Sequence, residues 1–439
     1  MASSNSASKI GLWTSTALVV GNMIGSGIFL LPATLATYGA ISFIGWICSS
    51  LGAVALALLF SRLSKMFPHC SGGPYAYTRE GLGDFAAYFV AWGYWLSIWS
   101  TNAAIAVTFV SYLTVFIPAL SENSFLSVGA GLSTIWLLTW INTRGIKPAG
   151  RIQVITTLLK LTPLVMVAIV GVFYIDTANF VPFNSSGESS FSAITTTATL
   201  TLFAFLGLES ATIPSENIKN PEKTIPRATI IGTTLTIVVY ILGSAAVMGM
   251  LGPQKLQGSN APFADAAALI WGEQARTWVA LGALVSTFGA LNGWILIQGQ
   301  IPLAAARDRL FPHFFGRKNN KGIPATGVVI SSILISGLML MNFTKGLTDT
   351  FRFMILLSTV AVLVPYLFSA ASYGLIVLQN RPPKTTSITK ILLAAVAFIY
   401  SMWAVMGSGQ ESVYWGFIGL MAGLPFYVWM KKISSDNHE

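Results

Sequence analysis

One carboxylate, one ammonium and two glycine-interrupted segments, all set within apolar sequence, are the features of this 439-residue chain that suit chemistry. Of its fifteen acidic residues, nearly all fall in polar breaks or at the ends of apolar runs; Glu209 alone sits deep inside one. A carboxylate in such surroundings is a functional candidate by default. Two roles are open to it: a group that changes protonation during a working cycle, or a protonated or backbone-paired acid that props up the chain around it. Lys160, within Thr156-Thr157-Leu158-Leu159-Lys160-Leu161-Thr162-Pro163, is the only base well inside an apolar run. It lies about two helical turns in from the end of that run. Its ammonium either reaches back along its own stem to the surface or supplies a fixed positive charge where a coupling cation would otherwise sit. None of the histidines, His69, His313 and His438, falls inside an apolar run, so proton movement there would use carboxylate, lysine, tyrosine or water.

The interrupted segments match each other. One reads Gly21-Asn22-Met23-Ile24-Gly25-Ser26-Gly27-Ile28-Phe29-Leu30-Leu31-Pro32, the other Phe203-Ala204-Phe205-Leu206-Gly207-Leu208-Glu209-Ser210-Ala211-Thr212-Ile213-Pro214. Gly25 to Pro32 and Gly207 to Pro214 have the same separation. For either segment alone, glycine for close helix packing and proline as a helix stop are sufficient explanations; the recurrence of both at equal spacing favours a functional pair. Helix breakers within a membrane-length run free backbone groups that must line a cavity or find a partner. A break at Gly25-Ser26-Gly27 exposes N–H groups at the start of a second half-helix, where the positive end of the dipole favours a carboxylate. Carbonyls released near Phe203 and Leu206 suit an ammonium. The two breaks together describe a receptor for the α-carboxyl and α-amino groups of an amino acid at about mid-membrane.

The elements that must position these groups are membrane spans. The sequence is 54% hydrophobic and 9% charged, a balance that a water-soluble surface of this size could hardly carry. Apolar runs near the roughly 20 residues needed to cross about 30 Å of hydrocarbon recur from end to end. They fall near 11–33, 41–62, 84–113, 125–142, 153–175, 194–216, 228–251, 277–304, 325–342, 353–378, 388–406 and 412–430, which makes twelve. The two interrupted runs are the first and the sixth, so in an alternating topology they cross in opposite directions, the mark of an inverted repeat. The first run lacks a basic leader and a small-residue cleavage site and is expected to be retained. No polar stretch is long enough for a separate soluble domain, and residues 1–439 read as one integral domain. Cys48 and Cys70 have neither disulfide nor metal-ligand spacing, and no metal or other cofactor is expected.

Lysine and arginine divide unevenly between alternate breaks. One set holds most of them, among them Arg62, Lys65, Arg79, Arg144, Lys219, Arg307 and Lys431; the other has only Lys255, Arg276, Lys345 and Arg352. The positive-inside rule then puts the first set and both termini in the cytoplasm. The net charge of +10 is spread over many short loops, so it reads as a topology signal, with anionic lipid headgroups rather than nucleic acid as its partner.

The run Gly21 to Phe29, the loop Ser71-Gly72-Gly73-Pro74-Tyr75-Ala76-Tyr77, and Gly207-Leu208-Glu209-Ser210 followed by Lys219-Asn220-Pro221-Glu222-Lys223-Thr224-Ile225-Pro226-Arg227 resemble the amino acid–polyamine–organocation superfamily. The resemblance is greatest to bacterial basic amino acid/polyamine antiporters of the arginine/agmatine exchanger type. It extends over nearly the whole chain, taking in Gly293-Trp294, Leu310-Phe311-Pro312 and Val364-Pro365-Tyr366-Leu367. It implies an all-α membrane protein with a LeuT-like five-plus-five inverted repeat and broken helices 1 and 6. Repeat one would cover about 11–175, repeat two about 194–378, and two extra helices about 388–430. Such proteins often assemble as homodimers in the bacterial inner membrane.

By matching position, the resemblance implies that Asn22, Met23, Gly25, Ser26 and Gly27 hold the backbone end of the substrate with Ala204 and Leu206. Ser97, Ile98, Asn102, Phe203, Trp294 and Ser358 would line the side-chain end. Tyr94, Glu209 and Tyr366 match a gating layer, Trp294 a gate between the centre and the outside, and Tyr75 a cytoplasmic-side residue tied to pH response. Two departures bear on substrate and coupling. The exchanger has a tryptophan where this chain has Phe203, a weaker cation–π partner, and it lacks a lysine at the place of Lys160, where some proton-coupled permeases of the superfamily carry one.

The function implied is secondary transport: exchange of an amino acid, cationic by resemblance, for an amine or another amino acid. The alternative is a proton-coupled permease for neutral or broad-range amino acids. A channel would need a continuous polar pore, and an intramembrane enzyme would need paired aspartates or a His-Glu-x-x-His zinc motif, which the sequence lacks. It also has no phosphate loop for ATP. Transport would run on gradients.

Overall fold

In hydrocarbon no water is at hand to pair backbone N–H and C=O groups, so apolar runs of this length fold as helices. The chain is predominantly helical in a computed structural model that describes residues 10–436 apart from 69, 71, 146–149, 213–217, 343 and 380–383. For 150–156, 158–160, 384–387 and 433–436 it describes the backbone alone. Pro214, at the end of the second interrupted segment, and the side chain of Lys160 therefore lie outside the described residues.

Sixteen α-helices follow one another among the described residues. They are α1 (Leu12–Met23), α2 (Gly27–Leu35), α3 (Ser42–Met66), α4 (Pro74–Leu113), α5 (Ala119–Glu122), α6 (Ser124–Thr143), α7 (Gly150–Gly171), α8 (Ser190–Leu202), α9 (Pro221–Gln257), α10 (Pro262–Trp271), α11 (Glu273–Arg307), α12 (Ala325–Met341), α13 (Leu347–Gln379), α14 (Lys384–Met406), α15 (Gln410–Met421) and α16 (Gly423–Asp436). Ten stretches are long and apolar enough to cross a membrane, and the protein is an integral membrane protein with many spans. The shorter apolar helices Leu161–Tyr174 and Ala325–Met341 stand where the fifth and ninth runs were read.

Three readings of the sequence need correction. The third run, read as 84–113, begins at Pro74, because a proline at the first helical position needs no intrahelical donor there and Gly83, at φ 78° and ψ −175°, lets the helix bend without ending. The segment Pro74-Tyr75-Ala76-Tyr77 is thus helix, not loop. The seventh run likewise lengthens from 228–251 to Pro221–Gln257, with a bend at Gly252, φ 71°. Helix α10 was not anticipated: at ten residues it is too short to register as a span.

Helices α4 and α13 pack along each other at the centre, with α11 against α4 and with α1, α2 and α8 close by. The outer helices α6, α14 and α15 expose Phe125, Trp136, Trp140, Leu392, Ile399, Met402 and Phe417, a surface suited to lipid. Contacts recur in a regular way. α2 meets α8, α3 meets α9, α4 meets α11 and α6 meets α12; α1 meets α9 as α3 meets α8, and α4 meets α13 as α7 meets α11.

With lipid tails as apolar as the side chains themselves, helix contacts rely on close packing and on hydroxyls bonded within their own helix. Thr197 Oγ1 donates to Ala193 O at 2.7 Å, and Thr201 Oγ1 to Thr197 O at 2.7 Å, on the face of α8 that meets α3. Gly45 of α3 makes that approach possible, since a Cβ there would overlap Thr197 and stand 2.8 Å from the Ala198 backbone nitrogen. Gly45→Leu is expected to destabilise the protein by about 1–3 kcal/mol. A thermal unfolding midpoint in detergent equal to that of the unsubstituted protein would contradict this packing.

Candidate functional site

The first break separates α1 from α2. Ile24 N–H still bonds Val20 O at 2.8 Å, Gly25 N–H turns back to Met23 O at 3.0 Å, and helix resumes at Gly27. The carbonyls released at the end of α1 are claimed by aromatic donors. Trp294 Nε1 donates to Asn22 O at 3.2 Å and Tyr240 Oη to Met23 O at 2.6 Å. The N–H groups on the other side are not: those of Ser26, Gly27 and Ile28 meet no acceptor among the described residues, and Ser26 places no side-chain cap on them. Three such amides at the positive end of a nine-residue helix are an arrangement that suits an anion.

The second break follows α8. A 3-10 turn over Phe203–Phe205 leads into Leu206, then Gly207 at φ 99°, and a further 3-10 turn covers Ser210–Thr212. Leu206 N–H bonds Phe203 O at 3.1 Å, so the Phe203 carbonyl, expected to be released, is engaged by the tight turn. The Leu206 carbonyl meets no donor among the described residues.

The two breaks face each other. A Cβ on Gly27 would stand 3.1 Å from both Ala204 Cα and Cβ, and one on Gly207 would stand 3.1 Å from Trp294 Cζ2 and 3.2 Å from Asn22 Cβ. Gly207 also has a φ that L side chains rarely adopt, so glycine is required there twice over. Two helix faces close the space. From Gly25, a Cβ would reach Ala290 Cβ at 3.2 Å and Ile105 Cδ1 at 4.0 Å. Ala290, Trp294 and Gln298 share one face of α11, and Ile98, Asn102 and Ile105 share one face of α4. From α13, Ser358 Oγ donates to Ser97 O at 2.9 Å and pairs with Thr101 Oγ1 at 2.6 Å, and the Phe351 ring meets Phe203 edge-on at 6.1 Å.

Asn22, Met23, Gly25, Ser26, Gly27, Ser97, Ile98, Asn102, Phe203, Ala204, Leu206, Trp294 and Ser358 are all buried, and these elements gather around the breaks. Beside them lies a layer built on Glu209, which is 0% exposed. Tyr94 Oη donates to its Oε1 at 2.7 Å and Tyr366 Oη to its Oε2 at 3.0 Å, so α4 and α13 each supply one donor. Tyr75 stands apart from this layer. Its hydroxyl donates to Asp308 Oδ2 at 2.9 Å at the end of α11, next to Arg79, which binds Asp84 at 2.8 Å.

Two contributors escaped the sequence reading. Gln298 donates its amide to α12 and accepts from Asn102 Nδ2 at 2.6 Å. It is a polar residue one turn from Trp294 in an apolar run, the same kind of signal that marked Glu209. Tyr240, which holds the Met23 carbonyl, carries no such signal in its surroundings. Several buried side-chain polar atoms have no partner among the described residues, and Asn22 Nδ2, Asn102 Oδ1 and Ser210 Oγ are three of them. All three belong to the breaks or to the faces that enclose them.

Comparison with known proteins gives one family and consistent relatives. The amino acid permease family matches residues 10–435. The cadaverine/lysine antiporter of Escherichia coli (strain K12) is 33% identical over 449 aligned positions, which cover 99% of this chain and 98% of the relative. The putrescine transporter PotE of the same strain is 32% identical over 426, covering 95% of each.

Tyr94→Phe and Tyr366→Phe each take one hydroxyl hydrogen bond from a buried carboxylate, a loss of about 1.5–3 kcal/mol apiece. Each variant should unfold at a lower temperature in detergent, and Glu209→Gln, still able to meet both hydroxyls, should lose less. If both phenylalanine variants melt with the unsubstituted protein, the tyrosines do not hold Glu209.

Proposed function

The chain belongs to the amino acid permease family, and we propose that it exchanges a cationic amino acid for an amine or another amino acid by alternating access. At the coarser level it is an amino acid/polyamine transporter and not an enzyme. The observation that carries the finer reading is the meeting of the two breaks: three unpaired N–H groups on one side and the Leu206 carbonyl on the other, joined by Trp294. Amides at the start of α2 suit the α-carboxylate, and the Leu206 carbonyl, with Ala204 alongside, suits the α-ammonium.

The side-chain end is uncharged: Ser97, Ile98, Asn102, Phe203, Trp294 and Ser358 line it. A cationic side chain is met there by the Asn102 oxygen and by the faces of the Phe203 and Trp294 rings. The names of the relatives, cadaverine/lysine antiporter and putrescine transporter, favour such a substrate. Trp294 and the Tyr94–Glu209–Tyr366 layer would act as gates on opposite sides of the bound molecule, with Tyr75 and Asp308 linked to the state of the cytoplasmic face.

Twelve spans in a five-plus-five inverted repeat, about 11–175 and 194–378 followed by two extra helices, account for the recurring contacts: the first four spans each touch their counterpart five spans later. The excess of lysine and arginine in one set of loops favours cytoplasmic termini, and relatives from Escherichia coli favour a bacterial inner membrane. On the opposite face three of the four cations are engaged, Arg276 with Asp265 at 2.9 Å, Lys345 with Glu411 at 2.9 Å and Arg352 with the Tyr38 hydroxyl at 2.7 Å.

Proteoliposomes loaded with lysine, cadaverine or nothing should take up labelled lysine, arginine or ornithine only when loaded, and an imposed proton gradient should change little. Lys160→Ala should then retain exchange. Accumulation of neutral amino acids by empty vesicles under an inward proton gradient, abolished by Lys160→Ala, would replace exchange with proton-coupled uptake, the reading that Phe203 and Lys160 favour.

A further inference from the structure

A chain of amides decides which atom Asn102 turns toward the substrate. It starts at α12, where the Val328 carbonyl can only accept. Gln298 approaches it at 3.1 Å and Ser332 Oγ at 3.0 Å, so the group it presents there is its NH₂. Its oxygen is thereby turned to α4, where it accepts from Asn102 at 2.6 Å. The Asn102 atom in that bond must be its NH₂, which leaves Oδ1 pointing the other way, buried and without a partner among the described residues. Amide orientation in asparagine and glutamine is assigned from their networks; here a backbone carbonyl at the end of the chain settles both.

The packing of α11 on α12 makes the link possible. A Cβ on Gly299 would lie 2.6 Å from Val328 Cγ2, and one on Gly327 would lie 3.1 Å from Gly299 Cα. Two glycines thus bring the backbones close enough for a glutamine side chain to reach a main-chain oxygen. Ser332 Oγ is itself committed, donating to Val328 O at 2.9 Å and pairing with Thr139 Oγ1 at 2.6 Å. Gln298 has no alternative arrangement that keeps these bonds.

We propose that Gln298 is a positioning residue for substrate selectivity: it locks Asn102 with its acceptor oxygen toward the substrate side chain, making that end of the site select hydrogen-bond donors, such as an ammonium or guanidinium, over acceptors. The proposal rests on the reading of the breaks as an amino acid site. Gln298 itself touches no substrate, since Asn102 stands between. Without it the Asn102 amide is free to turn and present NH₂, which rejects a donor and welcomes a carbonyl.

Arginine and citrulline test this, because they share a shape and differ in placing donors or a carbonyl at the end. Initial rates of both are measured over a range of concentrations in proteoliposomes of the full chain loaded with lysine. The unsubstituted protein should prefer arginine; Gln298→Met should reduce that preference about tenfold or more, mainly through KM for arginine. Gln298→Glu, which when protonated keeps both bonds, should preserve it, and Asn102→Asp on the Gln298→Met background, acceptor in either orientation, should restore it. If Gln298→Met does not fold, Gln298→Asn, too short to span Asn102 and Val328, is read in the same way. Equal losses for arginine and citrulline, or no restoration by Asn102→Asp, would overturn the positioning role while leaving the cationic site intact. An unsubstituted protein with no preference for arginine would overturn both the inference and the proposed function.

Discussion

A main-chain polar group in hydrocarbon must find a partner, and everything distinctive in this protein answers that demand at two places. Elsewhere the main chain is paired along the helices, and buried hydroxyls such as those of Thr197 and Thr201 bond the carbonyl one turn back, that of Thr201 also meeting Ser49 Oγ of α3 at 2.8 Å. At Ile24–Ser26 and Leu206–Glu209 the ladder stops inside the molecule. Each unmet group there would cost several kcal/mol if left facing lipid. The breaks are tolerable only because α4, α11 and α13 wall them off and because they face each other.

The demand is met selectively. Carbonyls of Asn22 and Met23 are taken by the Trp294 indole and the Tyr240 hydroxyl, and that of Phe203 by its own turn. What stays open is a run of N–H groups on one strand of the break and a carbonyl on the other. Those are complementary to a molecule that brings an acceptor to one side and a donor to the other, as a zwitterion does. The same division extends outward: Glu209 is held by two hydroxyls rather than offered to the site, while Asn102 is half engaged, its NH₂ bonded and its oxygen left over.

Residues that are chemically out of place were legible in the sequence. Glu209 in an apolar run and glycines that break two runs at like positions both violate what lipid tolerates, and both lie buried where the two breaks meet. Features set by backbone angles were not. Whether the Phe203 carbonyl is released depends on the turn that Leu206 adopts, and the start of α4 at Pro74 depends on Gly83 bending the helix instead of ending it. Gln298 falls between: an uncharged amide raises no alarm by charge, and its importance lies in a carbonyl on α12, thirty residues away along the chain. Helix α10 meets the same limit, since it is apolar but short, and its packing against α11 is what reveals where it lies.

An uncharged side-chain end has a consequence for turnover. Opposite charges about 4 Å apart attract by about 4 kcal/mol even at an effective dielectric constant near 20, whereas a hydrogen bond from a cation to a neutral acceptor contributes about 1.5–3 kcal/mol. A transporter must release what it binds, so under the proposed reading a cation held through an amide oxygen and aromatic faces would trade affinity for exit. Both carboxyl oxygens of Glu209 are engaged by Tyr94 and Tyr366, within the layer beside the breaks. Selectivity then cannot rest on attraction alone. It must come from which atom of a neutral group is presented, and that depends on the fixed orientation of Asn102 more than on any charge at the site.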